Sequence, residues 1–263
     1  MAKIPVMSVY FKNIEQLHPS LSRIIASLFL GVLLSVTPVQ AEKASSEGRH
    51  AGIIVLDPGH GGNDMGARGY ENMTEKQVTM ALAGLMTERL KKTYKVVLTR
   101  KDDYQIDLFE RPALANHLKA DLFVSLHTGG SLRSFPRGMS LFYYSGPSGK
   151  ATAFDPRASI PVESSRTIKP WEQDRPELVK KSRYLTELIR KRLTRTDKNL
   201  KLTISGAPLM VLSGADMPAV LIEIGYITNP LDAKALGAET SLSTMAHAIC
   251  DAIDDFFSNE DRL

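Results

Sequence analysis

Apolar and polar positions follow two rhythms along this chain. Continuous apolar runs at Ile53–Leu56, Tyr94–Leu98, Leu122–Leu126 and Ala219–Ile224 read as strands buried on both faces. Gly138–Tyr144 adds a strand with aromatic alternation, and Leu209–Leu212 reads as a short one. Between them the period lengthens to that of a helix, as at Val78, Leu82, Leu85, Met86 and Leu90 within Thr74–Lys92, where Thr74 can cap the start. Leu108–Leu118, Pro176–Leu193, Asp232–Leu236 and Leu242–Phe257 read as further helices. Strands alternating with helices predict a single α/β domain, with a mostly parallel central sheet of about six strands flanked by helices on both faces. That domain covers 51–259. Within it, 145–175 carries serine, proline, glycine and charge with weak periodicity, and a loop insertion of that length is usually functional or mobile.

The first 41 residues follow another logic. Lys3, Lys12 and Arg23 precede an apolar run from Ile24 to Val36, and Val39-Gln40-Ala41 ends on a small residue. A positive start, an apolar middle and a small-residue exit predict a secretory signal, followed by a linker over 42–50. The run is short for a membrane span, so export with no stable span after cleavage is expected, the alternative being an uncleaved anchor. Removing residues 1–41 from the count leaves 30 basic and 28 acidic residues, a net charge of +2. Such a balance offers nothing to a nucleic acid, which is normally met by a strongly basic face. The single cysteine, Cys250, excludes a disulfide within the chain and reads as a small apolar residue on a helix.

Candidate chemistry gathers where strands end. Ile53 to Gly62 reads Ile-Ile-Val-Leu-Asp-Pro-Gly-His-Gly-Gly, placing His60 among glycines just past the first strand. His127 ends the third strand, Glu223 interrupts the last one, and Glu75 stands in the first turn of the helix after the His60 loop. Ligand sites of open α/β sheets collect at this carboxyl edge. Taken singly, His60 could be a loop hydrogen-bonder and Glu75 a carboxylate favoured by the helix dipole. Glu223 is more pointed, because a carboxylate inside an apolar strand is costly without a partner. Together, two imidazoles and one carboxylate make a catalytic zinc site with a place left for water, and a further acid is needed to move that water's proton. His60, Glu75 and His127 fit the first role and Glu223 the second.

The chain resembles the zinc-dependent N-acetylmuramoyl-L-alanine amidases of bacterial cell walls, the type 3 amidase family. The resemblance is carried in order by Leu56-Asp57-Pro58-Gly59-His60-Gly61-Gly62, Thr74-Glu75-Lys76, Leu98-Thr99-Arg100, Arg111 with Ala115-Asn116, Ala120 to His127, and Pro218 to Asn229. It implies one Zn2+ per chain bound by His60, Glu75 and His127, with Glu223 as acid and base. The implied reaction is hydrolysis of the amide between N-acetylmuramic acid and the L-alanine of peptidoglycan stem peptides, during wall remodelling or daughter-cell separation. Thr128-Gly129-Gly130 departs from the Ala-Asn-Ala more usual in the family after the second histidine.

Some relatives carry an inhibitory helix near 145–175 that an activator protein displaces. The prolines here (Pro147, Pro156, Pro161, Pro170) oppose a long helix and favour a loop facing substrate. Arg68 and Asn229 are candidates for contact with substrate, whereas Arg100 and Arg111 read better as structural ion pairs with Asp57, Asp102 or Asp107. Two other readings stay open: a wall-binding or regulatory module without catalysis, and a zinc carboxypeptidase acting on wall peptides.

Overall fold

The computed structural model describes residues 51–131, 136–146 and 175–259. The expected export signal (1–41), the linker (42–50) and nearly all of the insertion (145–175) lie outside the described residues. Six strands form one sheet: β1 (Ile53–Pro58), β2 (Lys95–Leu98), β3 (Leu122–Gly129), β4 (Met139–Tyr144), β5 (Leu202–Ala207) and β6 (Ala219–Tyr226). Their spatial order is β2-β1-β3-β6-β4-β5. β1, β2, β3 and β6 run parallel, while β4 is antiparallel to β6 and parallel to β5. The mostly parallel α/β architecture is as expected. Five helices accompany it among the described residues: α1 (Glu75–Leu90), α2 (Glu110–His117), α3 (Pro176–Thr196), α4 (Pro230–Gly237) and α5 (Glu239–Ser258).

The period of two along the strands sorts their side chains into two cores. Ile54 and Leu56, Leu122, Val124 and Leu126, and Val220, Ile222 and Ile224 face one side, where Leu82 and Met86 of α1, Leu185 and Ile189 of α3, and Ile249 and Phe256 of α5 cover them. Val55, Phe123, Ala219 and Leu221 face the other, against Ala115 of α2 and the turn residues Val211 and Leu212. The first side is sealed by three long helices. The second has one short helix and irregular chain, and His127 and Glu223 fall in phase with Phe123 and Leu221 on that side.

One strand was misplaced by the pattern. Leu209–Leu212 forms turns, and the strand is Leu202–Ala207. Leu202-Thr203-Ile204-Ser205 alternates along a half-exposed edge strand. Val211 and Leu212 instead earn their apolar character by burial, at 6% and 2% exposure, without joining the sheet.

Candidate functional site

The site is built on the carboxyl ends of β1 and β3 and on the first turn of α1. β1 stops at Pro58, and the chain turns through His60 at φ 63°, a left-handed conformation rare for a residue with a side chain. Gly59 leaves room for what lies opposite: a Cβ there would collide with the His127 ring. Gly66, at φ 64°, comes round again below the ring, and a Cβ on it would stand 2.6 Å from both Glu75 Oε2 and His60 Cδ2. Glycine at these two positions is the condition for two histidines and a glutamate to approach one point. α1 begins at Glu75 because Thr74 caps it, its N–H donating to Gln77 Oε1 at 3.2 Å.

His60, Glu75 and His127 come together as expected, with one ligand atom from each lying within 4.8 Å of the others. His60 Nε2 stands 3.1 Å from Glu75 Oε2, and His127 Nδ1 stands 3.0 Å from Glu75 Oε1. The imidazole rings sit edge to face, 5.1 Å between centroids. Glu75 is 4% exposed, and each of its oxygens also accepts a backbone N–H, Oε1 from Thr128 and Oε2 from Ala67, both at 2.9 Å. Burial alone would raise its pKa. The imidazole contacts and the Ala67 N–H outweigh burial and hold the carboxyl well below the ordinary carboxylate range. His60 Nδ1 faces Asp64 Oδ2 at 2.8 Å. Burial works against the charged imidazole, but Glu75 and Asp64 together raise the pKa of His60.

Glu223 pairs with His127 across β3 and β6, and with Ser140 across β4 and β6. It therefore lies beside the cluster without joining it. Burial raises its pKa and the Glu75 charge adds to that, opposed by His127 and by a hydrogen bond with Ser140. The departure after His127 is visible too. Thr128 is buried, and its hydroxyl finds no hydrogen-bond partner among the described residues. Gly129 lies under the Tyr226 ring, 2.6 Å from where a Cβ would be.

The other expectations divide. Arg111 pairs with Asp57 at 2.8 Å, as read from the sequence. Arg100 binds carbonyl oxygens and not the expected carboxylates. Arg68 is exposed on the loop before α1, its Nη2 3.1 Å from Met65 Sδ. Asn229 is 6% exposed and caps α4, its Oδ1 accepting from Leu231 N at 3.0 Å and Asp232 N at 3.4 Å. That atom is committed to the helix end. Asp64 escaped the sequence reading, although a carboxylate four residues after a loop histidine was a usable sign.

An α/β sheet with a histidine–glutamate–histidine cluster at its carboxyl edge, able to hold a metal ion, and a separate glutamate beside it defines a hydrolase-like centre. Comparison with known proteins is specific. The sequence model of the Amidase_3 family, N-acetylmuramoyl-L-alanine amidase, matches residues 54–255, and the chain belongs to that family. It is 29% identical over 219 residues to N-acetylmuramoyl-L-alanine amidase AmiC of Neisseria meningitidis, a match spanning 78% of this chain and 53% of that protein. It is 31% identical over 228 residues to the uncharacterized protein YqiI of Bacillus subtilis, spanning 86% and 94%. The solved structure of N-acetylmuramoyl-L-alanine amidase AmiC2 of Nostoc punctiforme superposes with a TM-score of 0.62 at 26% identity, covering 79% of this chain and 98% of that one.

Proposed function

We propose that this chain is an exported, zinc-dependent N-acetylmuramoyl-L-alanine amidase that cuts peptidoglycan between the muramoyl lactyl group and the L-alanine of the stem peptide. The observation that carries the reading is the convergence of His60, Glu75 and His127, from three different elements, on one point. Tetrahedral zinc with bonds of about 2.0–2.2 Å sets neighbouring donors about 3.3–3.6 Å apart. His127 Nδ1 lies 3.0 Å from Glu75 Oε1 and His60 Nε2 lies 3.1 Å from the other oxygen, Oε2. One ligand atom from each residue lies within 4.8 Å of the others, so side-chain adjustments of about 1 Å would bring the three donors to this spacing. Two imidazoles and a carboxylate are also the donor set that zinc prefers when a position is kept for water. Zinc bound there would polarise the amide carbonyl and make water a usable nucleophile near neutral pH.

The protein's own groups do the rest. Asp64 orients His60 by holding Nδ1, which leaves Nε2 turned toward Glu75. Glu223 accepts a proton from the attacking water and returns it to the leaving amine as the C–N bond breaks, so water's hydroxyl ends on the lactyl carboxyl and its hydrogen on L-alanine. A pKa raised by burial suits a group that must both take and give a proton. Arg68, exposed on the loop before α1, would meet a carboxylate of the peptide. No helix of the described residues is long and apolar enough to cross a membrane. The apolar start of the chain supports export toward the wall, and a substrate-facing loop over 145–175 with an activator protein as partner completes the proposal.

Chelation should abolish release of stem peptides from purified sacculi, and zinc should restore it. Glu223→Gln should bind zinc like the parent while kcat falls by about 10²–10⁴-fold. Products carrying an intact stem peptide with a free L-alanine amino group support the amidase, whereas released single amino acids would replace it with a peptidase. Full turnover in Glu223→Gln would remove the proposed base.

A further inference from the structure

Arg100 is 1% exposed and heads the fully buried side chains by volume, an unusual position for a cation. Its acceptors are all uncharged oxygens. Nε donates to Pro58 O at 2.9 Å, Nη1 to Asp102 O at 3.3 Å, and Nη2 to Gly59 O and Lys76 O, both at 2.9 Å, with Thr79 Oγ1 at 3.3 Å. Gly59 immediately precedes His60, and Lys76 immediately follows Glu75. One guanidinium nitrogen thus joins the backbone beside one ligand to the backbone beside the other, although the two belong to a loop and a helix.

Neighbouring groups close the same frame. Thr79 Oγ1 donates to Gly59 O at 3.1 Å. Arg111 reaches Pro58 O at 3.1 Å and His60 O at 3.1 Å, and Asp57 secures it. Three successive carbonyls, those of residues 58, 59 and 60, therefore point at guanidinium groups. A left-handed, non-glycine residue such as His60 persists only where its surroundings over-determine it. The planar guanidinium holds Nε on Pro58 O while Nη2 bridges Gly59 O and Lys76 O, a rigid spread of donors that a single ammonium nitrogen does not reproduce.

We propose that Arg100 is a positioning residue for the metal centre, setting the spacing of His60 against Glu75 by clamping the carbonyls of Gly59 and Lys76. The inference rests on the zinc reading above, and its test separates the two. Zinc affinity is measured on the full chain by competition with a chromogenic chelator, and melting temperature is recorded with and without zinc. Arg100→Lys keeps the buried charge but loses the fork, and its zinc affinity should fall about 10–100-fold. The zinc-induced rise in melting temperature should shrink accordingly. Thr79→Val removes one hydroxyl at nearly constant volume, and its affinity should fall by a smaller factor. It decides the matter if Arg100→Lys does not fold.

A purely structural arginine would lower the melting temperature of the apo and loaded protein equally and leave zinc affinity alone. Folded Arg100→Lys and Thr79→Val that both bind zinc within about twofold of the parent would overturn the clamp while leaving the metal centre standing. A parent chain that binds no zinc, or binds it as well after Glu75→Ala, would overturn both.

Discussion

Glu75 and Glu223 are carboxylates at the same edge of one sheet, and their surroundings push them in opposite directions. Glu75 sits on a helix start where two imidazoles and two backbone N–H groups meet its oxygens, and its pKa lies well below the ordinary range. Glu223 sits mid-strand, where burial and the nearby Glu75 charge raise its pKa against His127 and Ser140. Under the proposed function, two like groups separated in this way would divide the labour of hydrolysis, one staying ionised to hold the metal and the other exchanging a proton. The backbone repeats the contrast. Around Glu75 and His60, glycines, buried arginines and a capped helix leave little freedom. Around Glu223, the backbone is set instead by strand pairing, with His127 of the parallel β3 on one side and Ser140 of the antiparallel β4 on the other.

The sharpest way to break this comparison is to remove the charge on the holding side. Glu75→Gln keeps the shape and some hydrogen bonding but offers neutral oxygen and nitrogen in place of a carboxylate. Zinc affinity should fall by more than the ~100-fold reached by changes to groups behind metal ligands, and activity should fall with it. Equilibrium dialysis with metal analysis checks this. Zinc retained at the parent's level would mean that Glu75 is not a ligand, leaving it as a helix-start carboxylate.

A gentler change probes the other carboxylate. The Ser140 hydroxyl lowers the pKa of Glu223 against the effect of burial, so Ser140→Ala should let that pKa rise further. A base works ionised, and it is lost as pH falls through its pKa. The acid limb of kcat/KM should therefore move to higher pH, while the plateau drops by less than about tenfold, in keeping with one hydrogen bond of about 1 kcal/mol. A limb that stays in place, or moves to lower pH, would take the acid limb away from Glu223.

These two carboxylates were legible in the sequence, and the reasons are physical. Strand ends and a helix start fix where His60, Glu75, His127 and Glu223 emerge, because a parallel sheet brings its carboxyl edges together whatever the loops do. The strands with continuous apolar runs were found for the same reason: burial on both faces leaves no other composition. What escaped acts through the backbone. Arg100 was expected beside a carboxylate, yet it binds carbonyls of Pro58, Gly59 and Lys76, and no side-chain pattern announces where carbonyls point. Asn229 was expected at substrate and caps α4, since Asn followed by Pro reads equally as a helix start. The error at Leu209–Leu212 has the same root, for an apolar run reports burial and not pairing.

The smallest expected effect lies far from the edge and calibrates the others. Arg192 on α3 grips Asp255 on α5 with two contacts, Nε to Oδ2 at 2.6 Å and Nη2 to Oδ1 at 2.5 Å, and both side chains are about one third exposed, at 31% and 32%. The geometry is bidentate, but water screens the pair, which limits it to about 0.2–1 kcal/mol. For a domain of this size that corresponds to a melting temperature lower by no more than about 2–4 °C in Arg192→Ala. The guanidinium depresses the pKa of Asp255, so the pair's contribution is complete above the ordinary aspartate pKa and is lost as pH falls through the lowered folded value. Thermal scans of parent and variant should therefore converge in acid and also at high salt. Zinc affinity should be the same in both. A drop in metal binding from this distant substitution would mean that loosening the helices is enough to disturb the centre, and the special place given to the carbonyls beside His60 and Glu75 would lose its ground.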